Sequence, residues 1–126
     1  MSVTAEILSR HRGVYDDGTV RYTEEGERII LSLSGSLDLE CSHRLQKFLV
    51  ELIGKVNQPY AIEVDMSDVR YVSSTGVGAI VNALVAAKHK DVAFRAYGFQ
   101  PKVQAVFRLL GLLSFFEDSG REGGSG

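Results

Sequence analysis

Hydrophobic positions along this chain change their spacing several times, and this predicts an alternation of strands and helices. Thr19 to Thr23 is rich in β-branched and aromatic residues, and Arg28 to Ser34 places Ile29, Leu31 and Leu33 on one face of a strand. The segment between them, Glu24 to Glu27, contains a glycine and reads as a turn. The two segments are therefore predicted to form a β-hairpin.

The period becomes helical from Ser42 to Ile53. Apolar residues recur there at i, i+3, i+4, i+7 and i+8, namely Leu45, Phe48, Leu49, Leu52 and Ile53. This spacing predicts an amphipathic helix, which we expect to stop at Gly54. Strict alternation returns from Tyr60 to Met66 and predicts a third strand.

The same helical spacing follows the Ser73 to Gly76 stretch and predicts a second helix, with apolar positions at Val77, Ile80, Val81, Leu84 and Val85. Val92 to Tyr97 reads as a fourth strand. Pro101 then suits the first turn of a last helix, which Gly111 would end; its apolar positions are Val103, Val106, Phe107 and Leu110. The predicted order is ββαβαβα.

Strands separated by a helix are normally parallel, with right-handed crossovers. The pattern therefore predicts an α/β fold: a small mixed sheet of about four strands, three of them parallel, flanked by helices. The carboxyl ends of parallel strands share one rim, where such sheets carry their sites. We expect Gly35 to Asp38, Ser67 to Thr75 and Gly98 to Gln100 to meet at this rim, with Asp65 and Asp68 close by.

The chain of 126 residues has room for one core. We expect an N-terminal extension over residues 1–18, which is a short helix or a loose arm, and the domain itself over residues 19–117. Residues 118–126 are rich in Gly and Ser and are expected to form a flexible tail.

The charge balance limits the class of partner. A net charge of −2 gives no excess of positive charge for binding nucleic acid. The single cysteine, Cys41, suits a reducing compartment, so we expect a cytoplasmic protein. The N-terminus lacks the apolar region of a secretory signal, and no stretch approaches the ~20 apolar residues of a membrane helix. We therefore expect a protein partner and no direct membrane insertion.

Three hydroxyls, Ser73, Ser74 and Thr75, stand in a row at the start of the second predicted helix. A helix N-terminus has unpaired backbone N–H groups and a positive dipole end, which together favour an anion. Ser and Thr are also preferred N-caps. From these residues alone, capping is the preferred interpretation.

A family resemblance changes that preference. Val64 to Val69, followed by Tyr71 to Gly78, resembles the signature of STAS domains, which occur in sulphate transporters and anti-sigma factor antagonists. That signature has an apolar strand, a turn, Asp-Ser-Ser-Gly or Asp-Ser-Thr-Gly, an apolar residue and Gly. Leu33 to Asp38 is similar to the family's Gly-x-Leu-Asp turn, and Val106 to Phe116 to its Leu-x-x-x-Gly-Leu ending. The resemblance covers roughly residues 19 to 116 and implies the fold predicted above.

The resemblance also implies a site. In the antagonists the first hydroxyl after the Asp is phosphorylated, which corresponds to Ser74, with Thr75 as second choice. Asp38 corresponds to the acidic residue of the neighbouring loop. Ser73 departs from the family, which usually has Asp there. The residues expected to bind a partner are Asp38, Ser73, Ser74, Thr75, Gly76 and Val77.

The function that the resemblance implies is an anti-sigma factor antagonist. Unphosphorylated, it would bind an anti-sigma factor that is also a serine kinase, and phosphorylation of Ser74 would release that partner. ATP would belong to the kinase, and a PP2C-type phosphatase would restore the active form. The alternative is a constitutive STAS scaffold, a subunit of a transporter or signalling assembly in which Ser74 is only a helix cap. The Ser73 departure favours this alternative.

Enzymatic chemistry is not indicated. Asp38, His43 and Ser74 suggest a catalytic triad, but no Gly-x-Ser-x-Gly elbow surrounds Ser74. The histidines are not spaced like metal ligands. Gly76 and Gly78 lack the rest of a phosphate-binding loop. We therefore predict a protein that is not an enzyme and has no metal, cofactor or catalytic residue.

Overall fold

A computed structural model describes residues 3–11, 19–57 and 59–112. The elements are α1 (Val3–Arg10), β1 (Val20–Glu25), β2 (Arg28–Leu37), α2 (Leu39–Lys55), β3 (Ala61–Val72), α3 (Ser74–Lys90), β4 (Ala93–Tyr97) and α4 (Pro101–Leu109). After α1, this is the predicted order ββαβαβα. The predicted flexible tail, residues 118–126, lies outside the described residues.

The strands form a mixed sheet in the order β1-β2-β3-β4. β1 pairs with β2 antiparallel, whereas β2 with β3 and β3 with β4 pair in parallel. The predicted sheet, with its hairpin and three parallel strands, is confirmed. Three strands are parallel because α2 and α3 each carry the chain back to the end of the sheet where the preceding strand began.

β2 and β3 are longer than predicted. Gly35 to Leu37 and Ser67 to Val72, which we expected to be loops, continue these strands and pair with each other. The register shifts beside Gly35, whose φ of 89° suits a bulge. Leu37 is fully buried and Val72 is 4% exposed. The extension follows from these inward apolar residues, because the outward positions between them do not need to be apolar.

α2 begins earlier and ends later than its apolar period indicates. It begins at Leu39, because Asp38 caps it, and it continues through Gly54 to Lys55, so the predicted stop at Gly54 is wrong. The Lys90 ammonium at the end of α3 donates to the carbonyl oxygens of Ile53 at 3.1 Å and Gly54 at 2.6 Å. These bonds satisfy helix-end carbonyls that a glycine motif would otherwise serve.

The core lies between the sheet and the pair α2 and α3. The predicted inward residues of β3, Ile62, Val64 and Met66, are fully buried, and so are the apolar positions of α2. Each such side chain contributes roughly 1.5–3 kcal/mol by leaving water. Two apolar positions of the predicted α3 pattern behave differently: Val81 is half-buried and Val85 is 47% exposed.

The described part of the N-terminal extension, residues 3–11, contains the helix α1. Of the two alternatives, a short helix or a loose arm, it is therefore the helix. Ile7 and Leu8 are buried, and α1 packs against α2. Arg10 and His11 both bind the Glu51 carboxylate, His11 through Nε2 at 2.7 Å. These hydrogen bonds lower the pKa of Glu51, and the bond to His11 has the largest effect. No helix within the described ranges is long and apolar enough to cross a membrane.

Candidate functional site

The candidate site lies where β2 and β3 end. Leu37 pairs with Val72, and Asp38 and Ser73 follow directly. Each of these two polar residues caps a helix: the Asp38 carboxylate accepts from the Cys41 N–H at 2.9 Å, and the Ser73 hydroxyl accepts from the Gly76 N–H at 3.0 Å. Asp38 and the three hydroxyls are therefore at one end of the sheet, as predicted. We call this end the rim.

Ser73 makes a second set of bonds at the rim. Its hydroxyl donates to the Leu37 carbonyl oxygen at 2.9 Å, and its backbone N–H donates to the same oxygen at 3.0 Å. An ionised Asp, the usual family residue here, accepts but cannot donate. Ser73 therefore caps α3 and also ties it to the end of β2. The cap is Ser73, so the hypothesis that Ser74 serves only as the cap is wrong.

Ser74 is the first residue of α3 and is exposed. Within the described part of the chain the Ser74 hydroxyl makes no hydrogen bond. Thr75, the next residue, is less accessible than Ser74, because it is half-buried. The first turn of α3 contains no acidic residue. The first N–H groups of a helix lack intrahelical acceptors, and the dipole makes this end positive. Ser74 thus presents an accessible hydroxyl at a positive helix end.

Gly76 is required by the close approach of α3 to the paired strand ends. A Cβ at this position would lie 2.7 Å from Val72 Cγ2 and 2.9 Å from the Leu37 carbonyl oxygen. Gly78, two residues later, has open space, with nothing within 4 Å of such a Cβ. The first glycine of the motif is therefore explained by packing within the domain, and the second is not.

Two of the residues predicted to bind a partner are buried within the domain. Gly76 and Val77, predicted to bind a partner, are buried, with Val77 3% exposed; they position the rim and have almost no surface of their own. Sequence reasoning missed Leu39 and Tyr71, which are 61% and 54% exposed and neighbour the capping residue Asp38 and the buried Val72. Leu39 could have been found as an apolar residue outside the helical period of α2.

The third predicted segment of the rim lies elsewhere. β4 ends with Tyr97, which pairs with Asp65 in the middle of β3. Gly98 to Gln100 follow Tyr97 and therefore lie beside the middle of β3. β3 continues to Val72, roughly 20 Å further at about 3.3 Å per residue. Asp68 pairs with Ser34, also short of the rim. Gly98 to Gln100 do meet the beginning of the predicted Ser67 to Thr75 segment, where Gln100 Nε2 donates to the Ser67 carbonyl oxygen at 2.7 Å. They do not reach Asp38 and Ser73, because β4 is much shorter than β3. The prediction that they lie at the rim together with Asp65 and Asp68 is wrong in this respect.

A buried charge cluster lies near the start of the parallel strands. Glu63, 3% exposed, accepts from Arg28 Nε and Nη2, both at 2.9 Å, and from Arg95 Nη2 at 3.0 Å. The hydrogen bonds from Arg28 are the main cause of a lowered pKa for Glu63. The cluster joins β2, β3 and β4 and is structural. No group of acidic, His and Cys side chains in the described ranges could hold a metal ion.

Comparison with known proteins identifies the family. A family model described as "Mlab, STAS domain" matches residues 20–115. The anti-sigma-B factor antagonist of Listeria monocytogenes is 22% identical over 97 residues, which cover 77% of this chain and 83% of that protein. The family match spans β1 to the end of α4, and it therefore includes both capped helices and the rim.

Solved structures of similar fold agree with the family match. A protein of Thermotoga maritima described as an anti-sigma factor antagonist is 26% identical, with a TM-score of 0.67 over 75% of this chain and 80% of that one. The antagonist SpoIIAA in its unphosphorylated form is 18% identical, with a TM-score of 0.64 over 75% and 83% of the two chains. The sheet order, the hydroxyl run and the family match together confirm the resemblance seen in the sequence, and the chain belongs to the STAS domain family.

Proposed function

We propose that this chain is an anti-sigma factor antagonist that works as a phosphorylation-controlled partner switch. Unphosphorylated, it binds an anti-sigma factor that is also a serine kinase, and phosphorylation of Ser74 releases it. The kinase supplies the ATP site, a PP2C-type phosphatase reverses the modification, and the exchange takes place in the cytoplasm. The names of the similar proteins from Listeria and Thermotoga support an antagonist role.

One observation carries the proposal: the adjacent serines differ in their environment. The Ser73 hydroxyl is used twice, as acceptor from Gly76 and as donor to Leu37. The Ser74 hydroxyl is exposed and makes no such bond among the described residues. A kinase can therefore modify Ser74 without breaking the cap, and the fold does not depend on the hydroxyl that is modified.

The expected effect of the modification is electrostatic. A phosphate adds about −1.5 to −2 charges and three acceptor oxygens, which a helix N-terminus can hold. The rim already carries the exposed carboxylates of Asp38 and Glu40, together with the exposed apolar side chains of Leu39 and Tyr71. A partner that packs on these apolar groups would have to desolvate the new dianion. Binding is lost for this reason, with little change in the fold.

The test begins with mass spectrometry of the protein after incubation with a copurifying kinase and ATP. Ser74→Ala should abolish the added phosphate and bind the kinase constitutively. Ser36→Ala is the matched control, since Ser36 is also an exposed serine near the end of β2 and should leave phosphorylation unchanged. Ser74→Asp adds only one charge and should weaken binding less than true phosphorylation.

Two results would change the proposal. Phosphate found on Thr75 would move the acceptor by one residue. If no hydroxyl from Ser73 to Thr75 accepts phosphate and both Ser74 variants bind the partner like wild type, the switch fails. A constitutive STAS scaffold then replaces it.

A further inference from the structure

The helix α1 is an addition to the family domain. The family model matches residues 20–115, so α1, over Val3–Arg10, lies outside the match. The helix nevertheless packs on the domain, because Ile7 and Leu8 are buried and α1 contacts α2. Isolated helices shorter than about 12 residues are marginal in water, so α1 has little stability of its own. Its helical form therefore depends on the surface that it covers.

The surface beneath α1 combines aromatic rings with one carboxylate. The buried ring of Phe48 meets the His11 ring edge to face, with the ring centroids 5.9 Å apart. Tyr22 of β1 lies beside Leu8. The Glu51 carboxylate binds the basic end of α1. We call Tyr22, Phe48 and Glu51 the α1 groove. An apolar floor with an anion at one end suits an amphipathic helix that ends in a cation.

The fit of α1 to this groove is imperfect. The Thr4 side chain is fully buried, and its hydroxyl has no hydrogen-bond partner among the described residues. Burying a hydroxyl without a partner costs free energy. Where α1 meets β1, an open cavity of about 200 Å³ lies between Tyr22 and the helix residues Ala5, Leu8 and Ser9. Well-packed protein interiors have few voids larger than a water molecule. A helix with an apolar residue in place of Thr4 would therefore suit the groove better than α1 does.

We propose that α1 is a displaceable cover, and that the α1 groove is a docking site for an amphipathic helix of a partner protein. The chemistry of α1 defines that helix: two adjacent apolar residues for the aromatic floor, and a cation at the end for Glu51. The chain between α1 and β1 keeps α1 near the groove, so a separate helix must fit better in order to displace it. The buried hydroxyl of Thr4 leaves room for a better fit. The inference does not depend on Ser74, so it can hold or fail separately from the proposed function.

The first test uses the full-length chain and, as probe, a labelled synthetic peptide with the sequence of residues 3–11. Leu8→Asp brings a carboxylate into the apolar contact and should undock the chain's own α1. Glu6→Asp places the same residue on the exposed side of α1 and is the matched control. Leu8→Asp should bind the peptide roughly tenfold more tightly than wild type or the control, because its groove is open. Thermal melting checks that both variants fold.

The peptide also tests whether a better-fitting helix competes with α1. A peptide carrying Thr4→Val should bind wild type at least about threefold more tightly than the unmodified peptide, because no hydroxyl is buried without a partner. Equal binding of the two peptides, or equal affinity of the three chains for the unmodified peptide, would overturn the inference. If wild type sediments as a dimer that Leu8→Asp dissociates, the occupant is α1 of a second copy, and the inference of a partner's helix is overturned.

Hydrogen exchange tests the cover in the wild-type chain itself. The amides from Ile7 to His11 should exchange at least about tenfold faster than those in the middle of α2, because α1 opens separately from the domain. In the full-length chain, Thr4→Val should slow the exchange of these α1 amides and leave that of α2 unchanged. If α1 exchanges only together with α2, it is a fixed part of the domain and the inference is overturned.

Discussion

The two ends of the parallel strands differ in how their charges are neutralised. Near their start, the buried Glu63 carboxylate is neutralised in place by Arg28 and Arg95. At the rim, the positive end of α3 is capped by the neutral hydroxyl of Ser73, and its first turn has no acidic residue. One end of the sheet is electrostatically complete within the chain. At the other end, the first turn of α3 supplies no acidic side chain of its own, and the described carboxylates of the rim, Asp38 and Glu40, belong to the start of α2.

This difference separates stability from proposed function. A buried carboxylate without partners would be costly, so the fold provides them. A helix N-terminus in water is tolerated without an acidic partner, because water solvates its N–H groups. The rim can therefore receive a negative group and lose it again while the fold persists. Complete charge balance is expected where residues serve the fold, and the lack of an acidic residue in the first turn of α3 is compatible with the proposed modification.

The first way to test this comparison is to disturb the packing of the rim. Gly76→Ala should lower the free energy of unfolding by about 2–3 kcal/mol, because the new methyl group meets the Leu37 carbonyl oxygen at 2.9 Å. Gly78→Ala is the matched control and should raise it by about 0.5–1 kcal/mol. Urea denaturation measures both. Equal effects of the two substitutions would show that the rim is loosely packed and does not require a glycine at position 76.

The second test removes the charge at the opposite end. Glu63→Gln should lower the free energy of unfolding by about 1–3 kcal/mol, because it weakens the bonds to Arg28 and Arg95. The pKa of Glu63 is lower in the fold than the ordinary value of about 4.3, so its contribution is present above that pH and is lost as pH falls through the folded value. Between those pH values the stability of wild type should fall more steeply than that of the variant. Parallel pH profiles would contradict this assignment.

The third test removes the cap of α3. Ser73→Ala should cost about 1 kcal/mol or slightly more, because the hydroxyl bonds to both Gly76 and Leu37 are lost. Ser73→Asp, which restores the usual family residue, keeps the cap and loses only the donation to Leu37. Its cost in a denaturation experiment should therefore be smaller. An Asp variant less stable than the Ala variant would show that the bond to Leu37 outweighs the cap.

The smallest effect is expected at Ser74. Ser74→Ala should change the free energy of unfolding by less than about 0.5 kcal/mol, because the hydroxyl is exposed and unbonded among the described residues. Ser74→Glu should be neutral or stabilising by about 0.3–1 kcal/mol, since a negative charge suits the helix end. Calorimetry resolves these differences. A loss above about 1 kcal/mol in the Ala variant would mean that Ser74 serves the fold.

The sequence predicted most of the architecture, because the apolar period of a helix or strand is set by what it buries. Its limits are seen in particular residues. The pattern of Ser67 to Val72 predicts a loop because it is mostly polar, yet the segment is a strand, since a strand with one buried side tolerates polar residues on the other. Val85 fits the helical period of α3 and is nevertheless exposed, because spacing places residues on a face but does not show whether that face is covered.

The site was predictable in composition and not in detail. Three consecutive hydroxyls are equivalent in the sequence, and only the structure shows that α3 begins at Ser74, so that Ser73 is the cap and accepts from the Gly76 N–H. The relative lengths of neighbouring strands also come only from the structure, and they decide which loops reach the rim. β4 ends beside Asp65, so Gly98 to Gln100 do not reach the rim that topology alone assigned to them.

The hydrogen bonds to the Leu37 carbonyl oxygen bear on how fast the proposed switch would act. It accepts from both the backbone and the side chain of Ser73, so two hydrogen bonds join the end of β2 to the start of α3. A phosphate on Ser74 would be added outside this joint, with no segment to refold and no hinge to open. Exchange of partners would then be limited by the kinase, the phosphatase and dissociation. The Ser73 amide should show the same slow hydrogen exchange in both forms.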